Sequence, residues 1–520
     1  MRVTFLGSAE TVTGSCFLID LENKKKVLVD CGMFQAGKEI KEKNYGNFPF
    51  NPGEIEALLL THSHIDHSGL IPKLVKHGFK GKIFCTKPTL DLCSIMLPDS
   101  GYIQEMEVER KNRKNLRANK KLLEPIYTVE DAENSLKFFK GVDYDVRLTV
   151  IEGMEVVFHD AGHIFGSAML EIFCDGQKTI FSGDIGNFDQ PIIKDPTCLT
   201  GADYIVMEST YGNRFHLETE DKIVSLKRVI NKTLQRGGNV VIPAFAVERT
   251  QDLIYHLRKL IENKEIVDTK VYIDSPLAIK ATKIFNMHPE YYDEETLNIF
   301  YKNSKNGEDV LNFPGLEFTL SVEESKRINT DVKSAIIISA SGMCDAGRIK
   351  HHLKHNLWRE ESTVLIVGYQ AEGTLGRRIL DGAKTVKIHG EEVAVNATIE
   401  RIEGFSAHAD QKGLLNWVGC FSDKPKKIFL VHGEDESRRV LAEKINEMFD
   451  IETVIPLMNE SYEFAPQAEE LQIAVEEGTK DIVASISELL RELSRLDESK
   501  LPLEELKKVH SELERIKKIV

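Results

Sequence analysis

The feature of this sequence that most constrains its fold is a dense cluster of possible metal ligands. His62, His64, Asp66 and His67 lie within six positions, after an apolar run at residues 55–61 that predicts a strand. Side chains alternate along an extended segment, so His62 and His64 can point to one side, and the other two follow as the chain turns toward a helix predicted over residues 70–77. One metal ion does not need four ligands so close together, whereas two ions that share further ligands do. The fold must therefore bring other strand ends to this one.

Three further residues have the local context expected of such ligands. His163, Asp184 and His432 each follow an apolar run and lie beside a glycine, as ligands presented on tight turns at strand ends do. Taken singly, each is compatible with a structural role. Together with the cluster they favour a two-metal site, in which a carboxylate such as Asp184 can bridge ions about 3.5–4 Å apart.

The pattern of predicted elements changes twice along the chain. Short strands dominate residues 1–60 and 147–208, with a charged helical segment at residues 104–140 between them. From residue 220 to 400, strands alternate with helices, which indicates a parallel sheet covered on both faces. After about residue 400, strand-like and helical segments continue, including a strand at 427–431. We therefore expect an α/β protein with one domain inserted in another.

Composition limits the classes of partner. Among 520 residues, 82 are acidic and 67 basic, giving a net charge of −15. This balance argues against binding nucleic acid by bulk charge, but it allows basic residues to line one cleft. The sequence contains no apolar run long enough to cross a membrane and no apolar signal core at its start, so we expect a cytoplasmic protein without membrane contact. Its eight cysteines include no Cys-x-x-Cys pair, and we expect them to be reduced thiols.

The last segment of the chain predicts two amphipathic helices. Two interpretations stay open: a helical hairpin packed on its own body, or a module for homodimer formation or partner docking. The apolar positions that define the helices are Val483, Ile486, Leu489, Leu490, Leu493 and Leu496 in the first, and Leu506, Val509, Leu513, Ile516 and Val520 in the second.

Two sets of motifs resemble a known superfamily. The first set, His62-x-His64-x-Asp66-His67 with His163, Asp184 and the strand-closing Asp30, resembles the metallo-β-lactamase superfamily. The second set resembles its β-CASP branch of nucleic-acid-processing nucleases, most closely the bacterial and archaeal ribonucleases and next the endonuclease subunit of the eukaryotic polyadenylation machinery. It consists of Glu208 in Met-Glu-Ser-Thr-Tyr-Gly, His408 in Gly-Phe-Ser-Ala-His-Ala-Asp, His432, and segments at 243–251, 274–277, 341–343 and 368–378. The resemblance covers residues 1 to about 460.

This resemblance implies an architecture. It is an αββα sandwich formed by residues 1–208 and 400–462, with an inserted β-CASP α/β domain at 209–399 whose parallel sheet carries helices on both faces. Residues 463–520 remain as a C-terminal helical extension outside the resemblance.

The resemblance also implies two Zn²⁺ ions per chain. One would bind His62, His64 and His163, the other Asp66, His67 and His432, and Asp184 would bridge them. Asp30 is expected to hold the ligand loops rather than to bind metal itself. His432 favours RNA as substrate, because the DNA-specific branch of the family lacks a histidine at this position.

His408 and Glu208 are the expected acid pair. His408 would be the general acid, and Glu208 would hydrogen-bond its ring and raise its pKa. The alternative is that both residues only orient the scaffold. Candidate phosphate-binding residues are Gly373, Thr374, Arg377, Arg378, Arg249 and Arg348.

Three histidines at helical spacing, His351, His352 and His355, have no matching carboxylates nearby. They predict a solvated or RNA-facing helix rather than another metal site.

The sequence thus predicts a zinc-dependent ribonuclease that hydrolyses single-stranded RNA in RNA processing or decay. Internal cleavage is favoured over 5′–3′ exonucleolytic cleavage. The alternatives are a small-molecule hydrolase of the same superfamily and a non-catalytic RNA-binding scaffold. A small-molecule hydrolase needs neither the large inserted domain nor the Glu208–His408 pair. A non-catalytic scaffold does not need a complete set of metal ligands.

Overall fold

A computed structural model describes residues 1–35, 37–216, 221–304, 309–331 and 334–465. Met1–Phe464 forms one compact unit that contains all the elements given below. The two predicted C-terminal helices lie outside the described residues.

The first sheet carries the strand that precedes the histidine cluster. β1, β2 and β3 pair antiparallel, β3 to β6 run parallel, and the last strand pairs antiparallel with β1. Across the sheet the order is β22 (Ser461–Glu463), β1 (Arg2–Phe5), β2 (Phe17–Asp20), β3 (Lys26–Val29), β4 (Ile55–Leu59), β5 (Lys82–Thr86) and β6 (Phe139–Val142).

The second sheet supplies the other strand ends. β7 to β10 form an antiparallel meander, and β10, β11, β20 and β21 run parallel. Across the sheet the order is β21 (Thr453–Val454), β20 (Lys427–Val431), β11 (Tyr204–Glu208), β10 (Gln177–Phe181), β9 (Ala168–Cys174), β8 (Met154–Asp160) and β7 (Leu148–Ile151).

Some helices cover the outer faces of these two sheets, and others cover a third sheet in the inserted segment. Their bounds are α1 (Lys38–Glu42), α2 (Ile65–Ser68), α3 (Ile71–Lys76), α4 (Lys87–Arg117), α5 (Val129–Ser135), α6 (Lys222–Gln235), α7 (Arg249–Glu262), α8 (Pro276–Met287), α9 (Glu294–Ser304), α10 (Val322–Asp331), α11 (Ile349–Asn356), α12 (Leu375–Leu380), α13 (Gln411–Val418) and α14 (Asp435–Phe449). Short 3-10 turns lie at Lys43–Tyr45, Pro52–Glu54, Leu136–Phe138 and Pro289–Tyr291.

The packing produces four layers, as the sequence predicts. The inner faces of the two sheets share one core that includes Leu59, Phe158 and Phe429. Because side chains alternate along a strand, the opposite faces remain apolar and pack on helices. The first sheet packs on α3, α4 and α5, and the second on α13 and α14. The result is the predicted αββα sandwich.

A third sheet lies within the inserted segment, and its strands all run parallel, as predicted. α6, α7 and α8 cover one face, and α10, α11 and α12 the other. Across the sheet the order is β14 (Leu316–Phe318), β13 (Val271–Ile273), β15 (Ile336–Ser339), β12 (Val240–Pro243), β16 (Thr363–Ile366) and β19 (Thr398–Arg401), and a hairpin of β17 (Thr385–Ile388) and β18 (Glu391–Ala394) lies beside it.

Some boundaries differ from the sequence expectations. β19 pairs with β16 and extends past the expected boundary at residue 399, and β22 pairs with β1 across the boundary at 462. The charged segment at 104–140 is not one helix. α4 begins earlier, where Thr86 caps it, and a loop separates it from α5. The first half of α4 differs from the charged second half because it contains most of the helix's buried residues, among them Leu92, Met96 and Leu97.

The expectation of reduced cysteines is wrong for one pair. Cys198 and Cys420 form a disulfide, whereas the six other cysteines are free and buried. The two halves are 222 positions apart in sequence, so spacing cannot reveal the pair. The contact arises because α13 docks against the loop after β10, where the Trp417 indole N–H donates to the Thr197 carbonyl oxygen at 3.1 Å.

Within the described residues, no helix combines the length and the apolar character that crossing a bilayer requires.

Candidate metal centre and active site

The candidate ligands converge at one edge of the sandwich. Each follows a strand or begins a helix there, so both sheets contribute. The ligands are His62 and His64 after β4, Asp66 and His67 in α2, His163 between β8 and β9, Asp184 after β10, and His432 after β20.

The first cluster contains three imidazole nitrogens. The His64 Nδ1 atom lies 3.1 Å from His62 Nε2 and 3.3 Å from His163 Nε2. Asp184 Oδ2 lies 3.5 Å from the Nε2 atoms of both His62 and His163. Four ligand atoms thus surround one ion-sized position.

The second cluster lies on the other side of Asp184. His67 Nε2 and His432 Nε2 are 3.2 Å apart, and Asp66 Oδ2 is 3.5 Å from His432 Nε2. Asp184 Oδ1 lies 3.3 Å from His67 Nε2 and 3.6 Å from His432 Nε2. Each oxygen of one carboxylate therefore faces a different cluster.

These distances fit metal coordination. Ligand atoms about 2.0–2.1 Å from an ion at tetrahedral angles lie about 3.3–3.4 Å from one another. The buried Asp184 Oδ1 atom has no hydrogen-bond partner among the described residues, which is unfavourable for a carboxylate oxygen unless a cation or a proton faces it. The donor set, imidazole nitrogens with carboxylate oxygens, suits zinc-class ions.

Most ligands have the protonation state that metal binding needs. Burial lowers the pKa of His62 and His163 well below its ordinary value and that of His64 to about 4, so these rings are neutral. Burial alone would raise the pKa of Asp184, but the neighbouring histidines lower it, and the carboxylate is ionised. His67 differs. Burial lowers its pKa, but the charges of Asp184 and Asp30 raise it well above the ordinary value, so metal binding there displaces a proton.

Hydrogen bonds fix the ligand rings from behind. Asp30 Oδ2 lies 2.7 Å from His67 Nδ1, and the other Asp30 oxygen accepts from the Thr61 backbone N–H at 2.8 Å. The Thr61 hydroxyl is 3.1 Å from His62 Nδ1, and the Thr210 hydroxyl is 3.1 Å from His432 Nδ1. Asp30 therefore contacts a candidate ligand without joining either cluster, in the position that the sequence suggests.

His408 lies beside Asp184, the aspartate that faces both clusters. Its Nε2 atom is 3.9 Å from Asp184 Oδ2, and its Nδ1 atom is 3.1 Å from Glu208 Oε1. Backbone N–H groups of Ile185 and Thr210 donate to the two oxygens of Glu208, at 2.7 and 3.1 Å, which holds the carboxylate in place. The His408 side chain is 20% exposed, and Asp184 2%.

The charge environment of His408 favours its protonated form. Burial lowers its pKa, but the charge and hydrogen bond of Glu208, with Asp184 and Asp66, raise it to about 9. Cations at the two clusters would offset the aspartates and lower that pKa toward neutrality.

Comparisons with known proteins agree with this geometry. Three family models match: the metallo-beta-lactamase superfamily over residues 9–220, the Beta-Casp domain over 250–379, and the Zn-dependent metallo-hydrolase RNA specificity domain over 392–456. Ribonuclease TTHA0252 of Thermus thermophilus is 35% identical over 436 residues, covering 84% of this chain and 94% of its own. The chain belongs to the β-CASP ribonuclease family.

Other relatives extend the comparison. Transcription termination factor FttA of Methanocaldococcus jannaschii is 30% identical over 469 residues, 88% of this β-CASP chain and 70% of its own. A protein of unknown function from Enterococcus faecalis shares the fold, with a TM-score of 0.51 at 14% identity over 89% of this chain and 99% of that one.

Four candidate phosphate-binding residues of this β-CASP protein lie together at the start of α12. Gly373 precedes Thr374, which caps the helix by accepting from the Arg377 backbone N–H at 3.2 Å. The Arg377 Nε–H group donates to Asp381 Oδ1, one helical turn later, at 2.8 Å. Arg378 is exposed, and no ion pair involves it within the described residues. Phosphate binding here stays a prediction, with Arg378 the best-placed donor.

The contacts of two other arginines favour structural roles. Arg249 is buried, pairs with Asp252 at 2.7 Å and lies over the Phe405 ring. Arg348 donates to Asp274 at 2.7 Å and to the carbonyl oxygens of Thr319 and Leu320 at 3.2 and 2.7 Å. Its donors are occupied inside the inserted segment, so the contacts do not support phosphate binding by Arg348.

The expectation of a solvated or RNA-facing histidine helix is wrong for His352. His351 is exposed, but His352 is fully buried, with Nε2 2.7 Å from Asp274 and Nδ1 2.9 Å from Asn329. Helical spacing places His352 on the inner face of α11, one position from His351. The sequence did not indicate the carboxylate, which lies 78 positions away.

Sequence reasoning missed one buried carboxylate beside the site. Glu248, at the start of α7, accepts from the Phe165 backbone N–H at 3.2 Å, two residues after His163. The inserted segment thus holds the loop of a candidate ligand. The only sequence signal was that Glu248 lies within the family-like segment 243–251, to which no role was assigned. Thr61 and Thr210 gave no signal, because threonine hydroxyls are too common to single out.

Proposed function

We propose that this protein is a zinc-dependent ribonuclease that hydrolyses phosphodiester bonds of single-stranded RNA. The observation that carries the proposal is the position of Asp184, whose two oxygens face two ligand clusters while His408 lies 3.9 Å from one of them. The metal ligands and the proton donor would thus lie around one scissile phosphate.

The ligands divide between two ions. His62, His64 and His163 would hold one zinc, Asp66, His67 and His432 the other, with Asp184 between them. When bound, the ions activate a water molecule as nucleophile and neutralise charge on the phosphate oxygens. Asp30 and Thr210 keep the rings of His67 and His432 oriented toward the clusters.

His408 would donate the proton that the leaving oxygen needs. Glu208 accepts the Nδ1–H group, which directs the second N–H, on Nε2, toward the reaction site. The carboxylate also stabilises the imidazolium form, so the acid is charged before each turnover. In this assignment His408 acts on substrate and Glu208 positions it.

The substrate follows from the surroundings of the site. His62, His67, His163, Asp184 and His432 are buried, whereas His64, Asp66 and His408 are half-buried, so a scissile phosphate would have to enter through an opening on their side. A single strand fits such an opening more readily than a duplex. We propose that residues 1–208 and 400–462 supply the chemistry and that residues 209–399 bind the RNA chain beside it.

The test is cleavage of a 5′-labelled single-stranded RNA of mixed sequence by zinc-loaded protein, resolved at single-nucleotide length. We expect internal fragments early in the reaction. Mononucleotides as the first products would instead establish 5′ exonucleolytic cleavage. Absence of cleavage while two zinc ions are bound would refute the proposal.

Substituting Asp30→Asn should weaken zinc binding by about 10- to 100-fold, because the neutral amide no longer supports the ring of His67. Competition with a chelator measures this affinity. Asp20→Asn is the matched control, since Asp20 pairs with Arg2 at 3.2 Å on the neighbouring strand and contacts no candidate ligand. Equal zinc affinity in the two variants would show that Asp30 does not support metal binding by His67.

Substituting Arg378→Gln should raise KM for RNA by about ten-fold with little change in kcat, because a charged hydrogen bond to phosphate is lost on binding. Arg377→Gln serves as control, since that guanidinium is held by Asp381. Steady-state kinetics of both variants on the same RNA measure KM and kcat. A similar KM for both variants would mean that the start of α12 does not bind phosphate.

A further inference from the structure

The longest helix continues beyond the core as an arm. Val108 is the last buried residue of α4, and none of residues 109–124 is buried. The chain then returns along the helix. Asn112 donates to the Leu123 carbonyl oxygen at 2.9 Å and accepts from the Leu123 N–H at 2.8 Å, and Asn115 donates to the Lys121 carbonyl oxygen at 3.1 Å. We call residues 109–124 the cationic arm.

Positive charge is concentrated on this arm. Residues 109–124 contain seven basic and two acidic residues in a chain whose net charge is −15. All seven are exposed, and within the described residues only two take part in ion pairs, Lys111 with Glu107 and Arg113 with Glu109. The basic residues are Arg110, Lys111, Arg113, Lys114, Arg117, Lys120 and Lys121.

Stabilisation of the C-terminal end of α4 explains only some of these cations. Lys114 and Arg117 lie in the last turn of α4, where cations offset the negative end of the helix dipole. Lys120 and Lys121 lie beyond the helix, and Arg110 lies before its last turn. In a chain of opposite overall charge, so many unpaired cations on one projection create a local field that attracts polyanions.

The arm is connected to the candidate active site by the helix that carries it. The Thr86 hydroxyl, at the cap of α4, donates to the Gly166 carbonyl oxygen at 2.6 Å, and the Thr89 hydroxyl donates to the same oxygen at 2.8 Å. Gly166 lies in the loop of His163. Arg110 follows Lys87 by 23 residues, or about 35 Å along the helix axis. An RNA bound at the metal centre reaches the arm only if it has a long single-stranded flank.

An exposed aromatic ring accompanies the cations of the arm. Tyr102 lies on α4 before the arm and is 55% exposed. Single-stranded RNA is typically bound by cations that contact its phosphates and by aromatic rings on which its bases stack. Exposed cations alone would also suit an acidic protein surface, whereas cations together with an exposed aromatic ring match the pattern of single-strand binding.

We propose that the cationic arm is a second RNA-binding surface, which holds the single-stranded flank of the substrate outside the cleft. The identity of the bound RNA as substrate rests on the proposed function. The recognition chemistry is that of a phosphodiester backbone with unpaired bases, without sequence preference.

The test compares two variants with four substitutions each. The arm variant carries Arg110→Gln, Lys114→Gln, Arg117→Gln and Lys121→Gln. The control variant carries Lys24→Gln, Lys80→Gln, Lys387→Gln and Lys424→Gln, four exposed cations elsewhere that form no ion pair with any residue the structure describes. Fluorescence anisotropy with labelled RNAs of about 30 and about six nucleotides, over a range of salt, measures affinity and its salt slope.

We expect the arm variant to bind the long RNA at least about ten-fold more weakly than the wild-type protein does. The control variant loses the same four positive charges elsewhere, so its affinity should fall only slightly. The slope of log K against log salt should flatten by about 0.7 for each lost phosphate contact. Affinity for the short RNA, and kcat for its cleavage, should match the control.

Equal affinity and equal slope of the two variants for the long RNA would overturn the proposal and point to an acidic protein as the partner of the arm. Equal losses on short and long RNA would overturn it as well, because the arm would then act on the whole protein. Failure of the wild-type protein to cleave any RNA, with the binding difference intact, would refute the proposed function but not the arm.

Discussion

The substitution Asp184→Ala should abolish metal binding and RNA cleavage together. Its two oxygens are the atoms that the two ligand clusters share, so their loss opens both sites at once. Removing one preorganised electrostatic group from a reaction centre costs about 10²–10³-fold in rate, and a shared metal ligand should cost at least the upper value. Zinc content by mass spectrometry and cleavage of labelled RNA give the two readouts.

The control for this experiment is Asp203→Ala. Asp203 immediately precedes β11 of the second sheet and accepts from the Lys178 backbone N–H at 2.8 Å, away from both clusters. It should retain two zinc ions and the wild-type rate. Retention of both ions by Asp184→Ala would contradict the shared-ligand assignment, whatever happens to the rate.

The substitution His408→Ala should leave zinc bound and remove turnover. His408 belongs to neither of the two proposed ion sites but to a separate group with Asp184 and Glu208, to which we assign proton donation, so metal content should stay at the wild-type value. Loss of a general acid typically costs about 10²–10⁴-fold in kcat. Cleavage at the wild-type rate by the zinc-loaded variant would show that His408 only orients the scaffold, and loss of zinc would make it a ligand.

The pH dependence separates the two members of the acid pair. The pKa of His408 is raised above its ordinary value, so the protonated form is present at neutral pH, and kcat should fall as pH rises through the folded-state pKa. Glu208→Gln removes the charge that contributes most to that increase. The alkaline limb of the kcat profile should therefore move to lower pH, and an unmoved limb would refute the positioning role of Glu208.

The sequence indicated the candidate site only where its signals are local. Four ligands occupy six consecutive positions, and a strand, a turn and a helix start are predictable around them. The remaining ligands adjoin glycines at strand ends, a signal too common to use until the cluster is known. The inserted parallel sheet was predictable because alternating strands and helices leave few other arrangements.

Contacts across long sequence separations could not be predicted in this way. The buried pair of His352 and Asp274, the occupied donors of Arg348, and the disulfide of Cys198 and Cys420 all depend on which surfaces pack together. Residue type and spacing predict individual helices and strands, but not which of them pack together. A polar residue with a distant partner therefore looks the same in sequence as one that faces solvent.

The order in which the chain supplies its ligands has a consequence for synthesis. His62, His64, His163 and Asp184 all belong to the first 184 residues, whereas His408 and His432 follow the inserted segment, and β20 pairs with β11 only after residue 427 has been made. Domains fold from the N-terminus as the ribosome extends the chain. A nascent chain of that length therefore carries one complete ligand cluster, but it lacks the proton donor and the His432 ligand of the second cluster. While it is still tethered among ribosomal and messenger RNA, the proposed nuclease therefore lacks its complete site until residue 432 has been made.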